Sequence, residues 1–199
     1  MKKLLVAATA ITGLAFAVPA NAAPMVGSDS FRPGIVTNMP GTADLFTATA
    51  LKLTHTAWGA GAGDFLAIPF NTIINDSTIT FGSLGGYSFT SADGSFAATS
   101  GSITGTTGSA ASGSETMSLY FLGIFTPAGD TSAFTAGAAS LTASFTETAS
   151  GAITSTNLGS FSGSGTLASP PNPLLVPEPA GMALLGVGLL GLGLVRRRV

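Results

Sequence analysis

The chain has 199 residues, no cysteine and only 8% charged residues. Without cysteine it can have neither a disulfide-stapled fold nor a thiolate metal site. Between residues 24 and 173, eight acidic residues stand against only Arg32 and Lys52. The chain therefore has no basic patch to replace the counterions of a nucleic acid, and we expect no nucleic-acid partner.

The first 22 residues have the pattern of a secretory signal peptide. Lys2 and Lys3 precede an apolar stretch at residues 4–18, and the small residues Ala20 and Ala22 follow in the spacing of a cleavage site. We predict cleavage after Ala22, with the secretion translocon and signal peptidase as partners. An uncleaved N-terminal anchor is the alternative.

Residues 23–166 form the body of the protein, and its first half alternates apolar and polar residues over short stretches. A proline-containing segment at residues 24–40 predicts an irregular or edge-strand entry. A strand follows that places Leu51, Leu53 and His55 on one face, and the glycine-rich residues 59–64 predict its end. Further strands are predicted at residues 77–81, 87–91 and 95–99, the last two joined by a tight turn.

The second half of the body has the clearest strand patterns. Residues 115–126 carry large apolar side chains on both faces, so we expect a central strand that is covered on both sides. Residues 139–148 alternate, with Leu141 and Phe145 facing inward. Residues 101–113 consist almost entirely of small residues and predict a flexible loop or a weak strand.

These patterns predict an all-β body. No long stretch of it combines a 3.6-residue apolar period with helix caps, and glycine is abundant. We predict a β-sandwich of short antiparallel strands, with a parallel β-solenoid as the alternative, although no fixed repeat is present. The proline-rich residues 167–176 then predict an extended spacer that holds the body away from the membrane.

Residues 177–199 combine a tripeptide, an uncharged apolar run and a basic end. We predict a transmembrane helix at residues 180–195, which would span about 24 Å of a hydrocarbon core about 30 Å thick. The basic end predicts a membrane stop on the cytoplasmic side. The tripeptide is Pro177, Glu178 and Pro179, and the basic end is Arg196, Arg197 and Arg198.

Together with the signal peptide, this order and spacing resemble the PEP-CTERM sorting domain of Gram-negative bacteria. The resemblance implies recognition of Pro177, Glu178 and Pro179 by exosortase, a membrane-embedded cysteine protease and transpeptidase-like enzyme. It implies an exported protein that is transiently anchored in the membrane, then reaches the cell surface, outer envelope or exterior, and associates with exopolysaccharide or biofilm. The alternative is a plain membrane anchor in which the tripeptide is incidental.

The body contains no recognisable catalytic or metal-binding pattern, and we predict no enzyme and no cofactor. His55 is the only histidine, so a multi-histidine metal site is excluded, and we expect this residue to be a partly buried, hydrogen-bonded part of the core. No G-x-S-x-G motif is present, and each acidic residue stands alone near a turn. A glycosidase would need two converging carboxylates.

Three functions remain open for the body. The first is a non-enzymatic surface or matrix protein. The second is a carbohydrate-binding module or adhesin, which requires an exposed aromatic platform, for which Trp58 is the leading candidate beside Tyr87 and Tyr120. The third is a secreted hydrolase.

Overall fold

The computed structural model describes residues 22–39 and 44–170. The predicted signal peptide up to residue 21, the transmembrane segment and the sorting tail lie outside these residues. Within the described part of the chain, no helix has the length and apolar character needed to cross a bilayer.

The described residues form eleven β-strands, and every pairing between them is antiparallel. In chain order they are β1 (Gly27–Arg32), β2 (Ile35–Met39), β3 (Ala50–Thr54), β4 (Thr56–Gly63), β5 (Ile73–Ile74), β6 (Ser77–Thr80), β7 (Ser88–Ser91), β8 (Gly94–Ser109), β9 (Ser114–Pro127), β10 (Gly137–Thr148) and β11 (Ser160–Ser169). The predicted all-β class is confirmed.

Eight of these strands close into a barrel rather than the predicted sandwich. Their order is β1-β11-β10-β9-β8-β7-β5-β4, and β2, β3 and β6 form a separate three-stranded sheet. The barrel closes because β1 pairs with β11 on one side and with β4 on the other. The prolines at positions 24, 33 and 40 predict an irregular or edge-strand entry. In the structure, β1 lies between Pro24 and Pro33, contains no proline and completes the barrel. The solenoid alternative is also wrong, since its strands would be parallel.

The barrel interior is filled by alternate residues of the long strands. Leu141 and Phe145 of β10 are buried as predicted, while serine and threonine alternate with them towards the outside. Trp58 of β4 lies among phenylalanine rings, at 5.5 Å from Phe89 and 6.2 Å from Phe125 between ring centroids. Such edge-on aromatic contacts add to the free energy gained by burying the rings.

Two local predictions differ from the structure, and a third had two alternatives that the structure decides. β4 continues through the glycine-rich stretch to Gly63, and a Cβ at Gly59 would lie 1.8 Å from the Ser30 Oγ, so the glycine permits close packing against β1. Most of residues 101–113 belong to β8, so the strand alternative for this stretch is confirmed. β9 is covered on one side only, because Leu122 and Ile124 on its outer face are each 48% exposed.

The C-terminal strand is longer than the sequence suggested. β11 continues beyond the predicted end of the body at residue 166, to Ser169. Leu167 is fully buried and lies opposite both Asp29 of β1 and Leu141 of β10. The first three residues of the predicted spacer therefore belong to β11.

Candidate functional site

The predicted aromatic platform at Trp58 is wrong, because this side chain is fully buried in the core. Its indole Nε1 donates a hydrogen bond to the Ser91 Oγ at 3.2 Å. Tyr87 is buried as well, and its hydroxyl shares a 3.3 Å hydrogen bond with that of Ser77. Burial raises the pKa of Tyr87 to about 12. Of the three aromatic candidates, only Tyr120 reaches the surface, where it is half-buried.

Tyr120 borders a groove of about 530 Å³ on the outer face of the barrel, which we call the hydroxyl groove. Each strand that crosses it turns serine or threonine outward, because the large residues alternate inward. The strand register aligns these hydroxyls in rows, with Thr142 opposite both Tyr120 and Thr166. Its hydroxyl-bearing residues are Ser30, Thr104, Ser118, Tyr120, Thr142, Ser144, Ser164 and Thr166.

A second groove of about 530 Å³, the apolar groove, adjoins the first on the same face. Tyr120 lines both grooves. The floor of the apolar groove is formed by Leu122 and Ile124 of β9 and by Ala138 of β10, and Pro170 lies at its edge. The outer face thus offers a polar and an apolar surface side by side.

Two carboxylates meet inside the body, contrary to the prediction that every acidic residue stands alone. Glu115 of β9 lies directly opposite Glu147 of β10, and they are 2% and 1% exposed. Glu115 accepts a hydrogen bond from the Phe46 backbone N–H at 3.2 Å, and Glu147 accepts one from Gly159 at 3.3 Å. Among the described residues, the Oε2 atom of Glu147 has no hydrogen-bond partner.

Burial raises the pKa of Glu147, and the carboxylates of Glu115 and Asp44 raise it further. The pair binds backbone N–H groups of the neighbouring segments and lines neither of the two grooves. This arrangement holds the turn around Phe46 and the loop at Gly159 against the strands. Within the described residues, no group of three acidic or histidine side chains could hold a metal ion.

Asp29 of β1 is a further buried acid, 1% exposed and opposite Leu167. Neither of its carboxylate oxygens has a hydrogen-bond partner in the part of the chain that the structure describes. Burial raises the pKa of Asp29 to about 6, and the nearby backbone N–H groups of Ser30 and Gly59 offset this effect only in part. In the strand register Asp29 lies in the row of Leu167 and Leu141, and Glu147 lies six residues farther along β10, about 20 Å away at about 3.4 Å per residue. Asp29 therefore does not converge with the glutamate pair.

The expected core position of His55 is wrong. The residue is exposed at the corner between β3 and β4, where its φ of 52° breaks the alternation. Leu51 and Leu53 are buried before the corner, and Thr56 and Trp58 are buried after it. The corner shifts the inward phase by one residue, so that His55 points away from the core.

Comparison with known proteins assigns a function to the C-terminal end. Residues 175–198 match the family described as PEP-CTERM protein-sorting motif. This chain carries a PEP-CTERM sorting motif. The resemblance inferred from the sequence is thereby confirmed, and the motif supports exosortase-dependent sorting of an exported protein of the cell envelope. No curated protein and no solved structure matches the chain.

The PEP-CTERM match contains the predicted recognition tripeptide and the three arginines, all of which lie outside the described residues. At the other end of the chain, the predicted cleavage site meets the ordered body. The Ala22 carbonyl accepts a hydrogen bond from the Thr135 Oγ1 at 3.2 Å, and the Ala23 carbonyl accepts one from the Thr135 backbone N–H at 3.0 Å. Ala22 and Ala23, on either side of the predicted cleavage bond, therefore both contact Thr135 of the body.

Sequence reasoning missed the hydroxyl groove and the carboxylate pair of this PEP-CTERM protein. Strand alternation alone places Glu115 on the inward face of β9 with Met117, and Glu147 on that of β10 with Phe145. What the sequence lacked was the register that sets the two carboxylates opposite each other. The same register aligns the outward hydroxyls into a groove.

Proposed function

We propose that this PEP-CTERM protein is a non-enzymatic exported protein of the cell surface or extracellular matrix, sorted by exosortase and associated with exopolysaccharide in a biofilm. The observation that carries the proposal is the sorting motif at residues 175–198. The tail serves as a temporary anchor and address, and the body is the delivered cargo.

The chemistry of the tail supports recognition by a protease. Pro179 pushes Glu178 out of the helical region, and Pro177 does the same to the residue before it, so the tripeptide favours an extended chain. Proteases bind extended substrates. The arginines that follow the apolar run stay on the cytoplasmic side and leave the tripeptide on the opposite side of the membrane.

The hydroxyl groove supports an association with polysaccharide. Each serine, threonine or tyrosine hydroxyl both donates and accepts hydrogen bonds, as the hydroxyls of a sugar do. Tyr120 adds an aromatic face on which a sugar ring can stack. The groove is open and uncharged, which suits an extended neutral chain. The same observation favours the second candidate, a carbohydrate-binding module or adhesin, in which this groove is a defined site.

A hydrolytic role has less support. Glu115 and Glu147 are buried and occupied by backbone N–H groups, and they line neither groove. His55 is exposed at a strand corner. A glycosidase needs its two carboxylates on either side of a bound glycosidic bond.

Sorting is tested by substituting Pro177→Ala together with Glu178→Ala in cells that contain exosortase. We expect the full-length mass to persist and export to fall. The matched control is Pro171→Ala together with Asn172→Ala, which changes the same number of residues in the spacer. Unchanged processing of the first variant would contradict the sorting proposal.

Polysaccharide binding is tested by affinity electrophoresis of the exported protein in gels containing exopolysaccharide from the producing cells. Tyr120→Ser should weaken retention by roughly 2- to 10-fold, corresponding to loss of one aromatic contact of about 0.5–1.5 kcal/mol. Tyr120→Phe keeps the ring and should be retained almost as well as the wild type. Equal retention of all three proteins would contradict the groove assignment, and release of new reducing ends would favour the hydrolase.

A further inference from the structure

The apolar groove exposes large side chains on a face that is otherwise polar. Leu122 and Ile124 are each 48% exposed on the outer face of β9, next to the hydroxyl rows of β10 and β11. Adjacent exposed apolar side chains that line a groove are a common sign of a binding surface.

The body's last described residue stands at the edge of this groove. Pro170 lines it, and the preceding Ser169 donates a hydrogen bond from its Oγ to the Ala138 carbonyl at 3.2 Å. Ala138 in turn lies directly opposite Ile124 in the register of β10 and β9. Pro170 directly follows β11, which pairs with β10, and β10 pairs with β9. The distance from the end of β11 across β10 to β9 is therefore two strand spacings, or about 10 Å.

The sequence that follows Pro170 fits this distance. Pro171, Asn172 and Pro173 come next, and three proline-rich residues cover about 9 Å at about 3.1 Å per residue. The apolar triplet Leu174, Leu175 and Val176 then follows. A chain that turned back across β10 would thus deliver three apolar side chains to Leu122 and Ile124. No charged residue lies between positions 170 and 176 to oppose this.

We propose that Leu174, Leu175 and Val176 of the same chain pack into the apolar groove. The occupant is an intramolecular one, because its attachment point already lies at the groove edge and the intervening length matches the distance that it must cross. Docking places Pro177 directly beside the outer face of the body. The spacer then holds the sorting tripeptide against the barrel instead of holding the barrel away from the membrane.

Because the chain contains no cysteine, two introduced cysteines can test this contact by forming a disulfide with each other. Leu122→Cys combined with Leu175→Cys is made in the full chain and exported by cells without exosortase, so that the tail stays attached. We expect an intrachain disulfide, detected by intact mass and by a shift on non-reducing gels. The matched control pairs Leu175→Cys with Thr78→Cys, an exposed position on β6, and should stay reduced.

A second measurement keeps the test independent of disulfide chemistry. Leu122→Ser together with Ile124→Ser should speed cleavage of residues 171–176 by an added protease several-fold, without lowering the Tm of the body. Leu66→Ser together with Ile73→Ser, also exposed at 73% and 60%, should leave the cleavage rate unchanged.

Two results would overturn the docking proposal. One is a disulfide that forms between two chains, which would assign the groove to a second copy. The other is the absence of any disulfide combined with equal cleavage rates. Because these cells lack exosortase, a failure here does not affect the sorting proposal, and a failure of sorting does not affect this test.

Discussion

Replacing Asp29 by Asn should remove a pH dependence from the stability of the barrel. The side chain is 1% exposed, and neither of its oxygens is hydrogen-bonded to residues 22–39 or 44–170. Burial raises its pKa from 3.8 to about 6. Between these two values the folded protein binds more protons at this site than the unfolded chain, so the free energy of unfolding falls as the pH rises. The loss is complete about one pH unit above the folded-state pKa, where the carboxyl is ionised in both states.

The size of this loss follows from the two pKa values. At about 1.4 kcal/mol per pH unit, the difference between 3.8 and about 6 corresponds to about 3 kcal/mol. The Asn variant cannot ionise and does not lose this free energy. Its stability relative to the wild type should therefore be higher at pH 8 than at pH 4 by up to about 3 kcal/mol, or roughly 6–12 °C in Tm for a domain of this size.

Thermal unfolding followed by circular dichroism measures the Tm of the variant and of the wild type at pH 4 and at pH 8. The change in their Tm difference between the two pH values cancels any destabilisation by the amide itself. Asp76→Asn is the control. Asp76 is exposed and lies 3.8 Å from Lys52, and such surface pairs contribute about 0–1 kcal/mol. An equal difference between Asp29→Asn and the wild type at both pH values would refute the reasoning, since it would mean that the Asp29 carboxylate is solvated in the folded state.

Two further changes test the packing and the carboxylate pair. Gly123→Ala should destabilise the barrel by about 1–3 kcal/mol in chemical denaturation, because its Cβ would lie 2.2 Å from the Ala97 carbonyl oxygen. Gly105→Ala, with no atom within 4 Å of the new Cβ, should cost far less, and equal losses would contradict the steric argument. Glu147→Gln keeps an acceptor for the Gly159 N–H but cannot ionise. Because the folded-state pKa of Glu147 is raised, the wild type loses stability as the pH rises. The Tm of the variant relative to that of the wild type should therefore be higher at pH 7 than at pH 4. A Tm difference from the wild type that does not change with pH would contradict this prediction.

Local strand patterns were readable from the sequence because each depends on neighbours along the chain. The hairpin of β7 and β8 forms at its predicted turn, with Ser91 opposite Gly94. The inward positions of Leu141 and Phe145 also follow from alternation alone. These residues needed no knowledge of the strand order.

Closure of the barrel and the composition of its surfaces depend on partners distant in sequence. Nothing near Gly27 indicates that it pairs with Ser169 and with Gly63. The sandwich prediction failed for this reason. The glycines after Trp58 predict the end of a strand and therefore an exposed position for this side chain. In the structure they allow β4 to continue past the core.

The tail could be identified from sequence because sorting depends on a linear segment. Pro177, Glu178 and Pro179 carry their chemistry in order and spacing, and the family match at residues 175–198 agrees with that interpretation. The hydroxyl groove depends instead on the register of five strands. Its ligand chemistry depends on Tyr120, Thr142 and Thr166 lying side by side, which follows from the strand register and not from their positions in the sequence.

The pairing of β1 with β11 has a consequence for the order of events during export. The first strand to leave the translocon cannot complete its ladder until the last one, ending at Ser169, has followed. Contacts between distant parts of a chain form slowly, and unpaired strand edges are prone to aggregation in the meantime. Retention at the membrane by the apolar tail would keep each molecule apart from its neighbours during that interval. On the proposal that the tail is a temporary membrane anchor, this anchor would aid folding before it directs sorting.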